Sequence, residues 1–188
     1  KNASTLTASS FESYLRQFSE ITDLISGQLQ TASNLIKSFK EVAVDQNNHD
    51  IRTVNLNDYI NKIADTVRPK FRSTNIALEI KCNPEIEYTS KVGPFSQVLS
   101  NLLLNCLYHA FDKGDEGNVI VEVTPTDFGI ELLVIDNGKG IPPQDLDKVF
   151  DPFFTTKRGQ GGSGLGLSIV FNIVDEGLKG TINLASEV

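Results

Sequence analysis

Between Pro94 and Phe111 the chain reads Pro-Phe-Ser-Gln-Val-Leu-Ser-Asn-Leu-Leu-Leu-Asn-Cys-Leu-Tyr-His-Ala-Phe, a composition that only a largely buried helix accommodates. Gly93-Pro94 opens that helix, and the pattern carries it to about Phe111. Within it Gln97, Asn101, Asn105 and His109 recur every four residues, so they stack as a polar row along one side. A solvent-facing stripe is the ordinary alternative, but the surrounding leucines make this too apolar for a surface helix. The row therefore faces a cavity, where a carboxamide oxygen can ligate a hard cation.

The first 44 residues follow another rule. Ser9 with Glu12 forms a capping box, which starts a helix. From Phe11 apolar residues fall at Leu15, Phe18, Ile25, Leu29, Ala32, Ile36, Phe39 and Ala43, three and four apart in alternation, with Thr22 the break. Tyr14, Ile21, Leu24, Leu35 and Val42 widen the stripe, which suits a bundle of three or four helices better than a two-stranded seam. One helix cannot bury that face alone, so a partner chain or helix is implied. The polar segment 45–50 ends the periodicity and marks a linker, with a domain boundary near residue 50.

Beyond it the expected elements are a helix at about 57–68 capped by Asn57 or Asn55, a strand at 76–82 and a short strand near 87–89. After the leucine-rich helix come strands at 118–124 and 130–136, a hairpin pair turning around 126–129. A short helix near 143–149, a final helix from about Gly164 to Glu176 and a strand at 181–185 complete the chain. Two strands, a helix, two strands and a helix describe an α/β sandwich, and no internal repeat is present.

Two glycine-containing segments accompany the polar row. Asp136-Asn-Gly138-Lys-Gly140-Ile141 follows a strand directly, which puts a carboxylate at the strand's end and glycines where backbone must approach closely. A hairpin turn at Asn137-Gly138 is the alternative, although Ile-Pro-Pro-Gln-Asp-Leu does not resemble a returning strand. A carboxylate there suits an amino-group donor such as the exocyclic amine of adenine. Gly161-Gly162-Ser163-Gly164-Leu165-Gly166-Leu167 opens a helix, and amides exposed at such a start receive phosphate. A flexible loop would look the same, and the run lacks the Gly-Lys-Ser or Gly-Lys-Thr of a P-loop. Lys157 and Arg158, just upstream, can reach terminal phosphates if they are not simply solvated.

Charge limits the partners. With 24 acidic against 17 basic side chains the net charge is −7, which argues against a nucleic acid held on a broad face. Any phosphate it holds must be held locally. The two cysteines, Cys82 and Cys106, have no metal or disulfide spacing and are read as small buried thiols in a reducing, cytoplasmic setting. No apolar run approaches the ~20 residues of a membrane span, so no membrane contact is expected of this chain, although its parent can carry an anchor. The chain starts at Lys1, consistent with a piece of something longer.

Taken together these segments resemble the GHKL superfamily of ATP-binding domains and, within it, the histidine kinases. Asn101-Leu-Leu-Leu-Asn105-Cys is similar to the N box, Asp136-Asn-Gly138-Lys-Gly140 to the first glycine box, Phe150-Asp-Pro-Phe153-Phe154 to the F box and Gly162-Ser-Gly164-Leu-Gly166-Leu to the second glycine box. The resemblance covers about residues 50–186. It implies an α+β fold, a two-layer sandwich whose mixed sheet is covered by helices on one face, preceded by a long coiled-coil-like helix. Residues 1–48 correspond to part of the dimerisation and phosphotransfer hairpin with its linker, and 49–188 to the ATP-binding catalytic domain. The implied roles place Asn105 on Mg, Asp136 on the adenine amine and residues 151–163 in a mobile lid. The implied site for ATP comprises Asn101, Asn105, Tyr108, His109, Asp136, Gly138, Gly140, Ile141, Phe150, Phe154, Gly162, Ser163, Gly164, Leu165, Gly166 and Leu167, with Asn105, Lys157 and Arg158 as the catalytic candidates.

Three departures qualify the resemblance. Many family members carry a lysine three residues after the Mg-binding asparagine, where this chain has Tyr108, so a phosphate contact is lost or supplied by Lys157. Neither histidine, His49 or His109, fits the phosphoacceptor position. Family members also add a strand beyond the position of Val188, and without it a sheet edge stays unpaired. Hydrolases of the superfamily place a glutamate four residues before the Mg-binding asparagine to activate water, whereas Asn101 here cannot act as a base. The expectation is a kinase in two-component signal transduction, with Mg-ATP as donor and a histidine on the hairpin of its parent or dimer partner as acceptor. Implied partners are a response regulator or receiver domain and a second copy through the N-terminal helix. A degenerate nucleotide-binding module, an ATPase and a serine or threonine kinase are the alternatives.

Overall fold

The computed structural model describes residues 11–23, 25–26, 29, 51–157 and 163–187. Helix α1, residues 11–23 with helical turns reaching 25, 26 and 29, carries the predicted stripe: Phe11, Leu15, Phe18, Ile25 and Leu29 are all exposed. Thr22 fits into the stripe by donating its hydroxyl to the Phe18 carbonyl at 2.7 Å. The capping box at Ser9, Leu24, the stripe beyond Leu29 and the linker lie outside the described residues.

A short strand that the sequence pattern did not reveal, β1 (Ile51–Asn55), opens the second region. Asn55 ends it and caps α2 (Leu56–Arg72), its side chain accepting from the Asp58 amide at 3.0 Å. The apolar positions Leu56, Ile60, Ile63, Ala64, Val67 and Phe71 fall one helical turn apart and are all buried. Then follow β2 (Asn75–Cys82), β3 (Glu87–Lys91), α3 (Val92–Asn105), β4 (Glu116–Thr126), β5 (Gly129–Asp136), α4 (Pro143–Leu146) and α5 (Gly166–Asn172). Both α3 and α5 run on into a π-helical turn, Cys106–Ala110 and Ile173–Gly177 respectively.

The strands form two sheets. β1 and β3 pair antiparallel, while β2, β4 and β5 make a mixed sheet in that order, β2 parallel and β5 antiparallel to β4. Alternation sorts the larger sheet into faces. On one face Leu78 lies beside Val119, Ile80 beside Val121, and Val121 beside Val134, and these join Phe95, Leu99, Leu103, Cys106 and the α2 stripe in a single core. The same register sets Val119 opposite Asp136, so the last residue of β5 looks toward the helical side.

Three expectations need correction. Residues 181–185 form no strand: a ladder needs a partner, and among the described residues this segment has none, while Ser186 instead accepts from the Ile141 amide at 2.8 Å. The helix read at 143–149 closes after Leu146 and gives way to turns, the Lys148 amide bonding back to Asp145 O. Cys82 is only half-buried, because it ends β2, whereas Cys106 is buried as expected.

Candidate functional site

The polar row is real and it is strained for partners. Gln97, Asn101, Asn105 and His109 lie half-buried along α3 and its π-helical extension. Among the described residues, the buried side-chain polar atoms without a hydrogen-bond partner are Gln97 Oε1 and Asn105 Nδ2, both in this row. Such atoms cost roughly 1–3 kcal/mol each, so a fold keeps them only where something else supplies the partner. Asn105 lies against the start of α5, where a Cβ on Gly166 would come within 3.1 Å of Asn105 Oδ1. Its terminal amide can turn to present oxygen to a cation held between α3 and the glycine run. The widened turn begins directly after Asn105, at the kind of position where such turns gather around sites.

Asp136 closes the other end of the row. Its Oδ1 accepts the Gly138 amide at 3.0 Å, and Asn137 zips onto β4, accepting the Asn118 amide at 2.7 Å. The segment is therefore a corner, not a hairpin turn. A Cβ at Gly138 would sit 2.3 Å from the Ala110 carbonyl oxygen, an approach that only glycine permits, and the Lys139 amide donates to that same oxygen at 2.9 Å. This contact pins the corner onto the π-helical turn. Burial, and then the Asp136 carboxylate beside it, push the Cys106 thiol far above the usual range. It stays protonated. The sequence hinted at this only by placing Cys106 next to Asn105. Gly140, with φ of 71°, and Ile141 continue the corner toward residues 186–187.

The F box and the second glycine box meet at one crossing. The Phe153 amide donates to Gly164 O at 2.8 Å, and Gly164, at φ of 68°, leaves no room for a Cβ, which would sit 2.5 Å from the Phe153 carbonyl carbon. Phe153 itself adopts φ of 69° and is exposed, a backbone conformation unusual outside glycine. Phe150 packs on Phe171 of α5 with ring centroids 5.6 Å apart, and Leu165 is buried. Ser163 Oγ accepts the Leu165 amide at 3.4 Å, so the approach to Gly166 and Leu167 is a tightened turn. The half-buried Phe154 starts the loop that leaves this crossing. Arg158 and Gly162 lie outside the described residues. Lys157 leans back across the site and donates through Nζ to the Tyr108 backbone carbonyl.

His109 feels this arrangement. Burial, then the Lys157 and Lys139 ammonium groups, lower its pKa below the ordinary 6.5. The folded chain therefore prefers neutral His109. Its contribution to stability is full above pH 6.5 and declines below it, as the unfolded state takes up a proton that the fold resists. Urea unfolding at pH 7.5 and 5.5 should show a smaller loss for His109→Gln than for the wild type; equal losses would contradict the assignment.

The family described as histidine kinase-, DNA gyrase B- and HSP90-like ATPase matches residues 91–188, just over half of the chain. The sensor histidine kinase ZraS of Escherichia coli K12 is 37% identical over 140 residues, which cover 73% of this chain and 28% of ZraS. The anti-sigma F factor of Bacillus licheniformis is 31% identical over 105 residues, 56% of this chain and 68% of that protein. Among solved structures, the catalytic domain of the histidine kinase ThkA superposes with a TM-score of 0.60 at 28% identity, covering 68% of this chain and 81% of the domain. The same kinase in complex with the response regulator protein TrrA gives 0.61 at 24% identity over 96% of this chain and 47% of that one, a likeness of fold. The chain thus spans little more than a quarter of the sensor kinase it matches.

Proposed function

Because this chain belongs to the histidine kinase-, DNA gyrase B- and HSP90-like ATPase family, we propose that it binds Mg-ATP and passes the γ-phosphate to a histidine on a dimerisation hairpin. The observation that carries this reading is the orphaned Asn105 amide, half-buried at the junction of α3 and the glycine run. Such a group is kept where a ligand, an ion or an ordered water supplies the partner. Asn105 holds Mg, Asp136 takes the adenine amine, and Gly164 to Gly166 with Lys157 and Arg158 receive the phosphates. Held there, the Mg ion would supply positive charge to neutralise the phosphates.

Kinase chemistry is favoured over hydrolysis by Asn101. One helical turn before Asn105, a hydrolase needs a base for water, and a carboxamide has no usable basicity. The acceptor imidazole must then arrive from outside residues 51–187. Helix α1 supports that, because its exposed stripe of Phe11, Leu15, Phe18 and Ile25 suits the helical bundle of a second copy. Residues 1–48 serve as part of that hairpin and its linker, 49–188 as the catalytic domain, and a response regulator or receiver domain takes the phosphate onward.

The test is transfer of label. The chain is incubated with γ-labelled Mg-ATP, alone and with the histidine-bearing hairpin of its parent, and the product is treated with acid. Acid-labile label only in the mixture is the expected result. Acid-stable label would favour serine or threonine transfer, and ATP bound without transfer would leave a nucleotide-binding module.

A further inference from the structure

Two lysines from separate elements converge on Tyr108. Lys70, in the last turn of α2, holds its Nζ 5.6 Å from the centroid of the Tyr108 ring. Lys157, from the segment after the F box, donates to the backbone carbonyl of the same residue. Ion pairs among the described residues join Arg68 to Asp65, Lys81 to Glu79 and Lys139 to Asp112; neither Lys70 nor Lys157 takes part in one. In a chain of net charge −7 carboxylates are plentiful, yet neither ammonium group makes a direct ion pair among the described residues, and the charge of Lys157 is felt by Asp112, which Lys139 already bonds. A ring face and a carbonyl dipole hold the cations in place but do not neutralise them. Both ammonium groups are therefore left able to take an anionic partner.

The position of Tyr108 says which anion. It lies three residues after Asn105, about one helical turn along the same polar side, and is half-exposed at the rim of the site. We propose that Lys70 is a phosphate-contacting residue, held ready on the Tyr108 ring to neutralise the terminal phosphates of the nucleotide together with Lys157. Tyr108 cannot supply a cation there, and α2 supplies it from outside the motif. The inference rests on the nucleotide reading above and adds a residue to it. It predicts selectivity for charge on the ligand: the contribution of Lys70 grows from adenosine through ADP to ATP.

Calorimetric titration of the chain with ATP, ADP and adenosine, with Mg present, compares wild type, Lys70→Gln, Lys70→Arg and Lys70→Gln combined with Tyr108→Lys. Losing one charge-assisted contact should weaken ATP roughly ten-fold in Lys70→Gln. ADP should weaken less and adenosine not at all. Lys70→Arg should bind ATP as the wild type does, and the added lysine of the double variant should recover most of the loss. Equal affinity of Lys70→Gln and wild type for ATP would overturn the assignment, as would an equal loss for adenosine, which marks a merely structural contact. Wild-type chain that binds no ATP would overturn it together with the nucleotide reading, whereas wild type that binds while Asn105→Ala does not isolates the question to Lys70.

Discussion

Asn105→Ala is expected to weaken Mg-ATP binding on the order of 100-fold, the upper end of what losing even an outer partner of a metal ligand costs. The same change should leave the fold as stable as before, or slightly more so. The two signs come from one atom. Asn105 Nδ2 is buried and has no partner, so deleting the amide removes a desolvated group worth roughly 1–3 kcal/mol of strain, set against the few contacts it gives up. A residue kept for packing or for a structural hydrogen bond would behave oppositely, with stability falling and affinity following only as far as unfolding takes it. Asn105→Asp should also bind Mg-ATP more weakly, because a negative charge then faces the phosphates. Calorimetry and thermal unfolding on one preparation decide the matter. Unchanged affinity in both variants would remove Asn105 from the site, and with it the observation on which the function rests.

What the sequence revealed of this site is what repeats locally. Gln97, Asn101, Asn105 and His109 are spaced by the helix itself, so their shared side follows from periodicity, and both orphaned buried atoms fall in that row. Glycines gave the corner at Asp136 and the crossing at Gly164, since both positions exclude a Cβ for reasons of backbone approach. Hidden features depended on distant pairing. β1 is five residues, Ile-Arg-Thr-Val-Asn, with little alternation in burial, and it exists because β3 lies beside it with Thr53 and Thr89 sharing a hydroxyl hydrogen bond of 2.7 Å. Residues 181–185 show the converse, apolar alternation with no partner strand among the described residues, and so no strand. Lys70 and Tyr108 stand 38 positions apart, and nothing in either neighbourhood announces their contact.

That division also explains why the motifs and their surroundings carry different kinds of information. The boxes state which ligand chemistry is available, because carboxamide, carboxylate and glycine are chosen for what they can touch. Elements outside them, such as the end of α2 in the proposal above, can add to the charge around the ligand. Tyr108 is a case in point: on the proposal above, the cations for the phosphates come from α2 and from the segment after the F box. Mutational reading of the family at motif positions alone would miss them.

Asp136→Asn should lower affinity for ATP roughly 10- to 100-fold, the cost of exchanging a charged for a neutral hydrogen-bond acceptor. The substitution is chosen because it spares the corner. Asparagine keeps the oxygen that accepts the Gly138 amide at 3.0 Å, so the close contact of Gly138 with Ala110 and the bond from Lys139 to Ala110 O should persist. The ladder position opposite Val119 is unchanged as well. What changes is the face offered to the base. A carboxylate only accepts, which suits the exocyclic amine of adenine, while an amide can also donate and so tolerates the carbonyl oxygen of guanine. The ratio of ATP to GTP affinity should therefore fall further than ATP affinity alone requires. Cys106 gives a second reading of the same change: with the carboxylate gone, its thiol loses a cause of its raised pKa and should titrate at lower pH than in the wild type. If ATP affinity drops but the ATP to GTP ratio holds, the carboxylate supports the corner without touching the base, and adenine must be recognised elsewhere along the row.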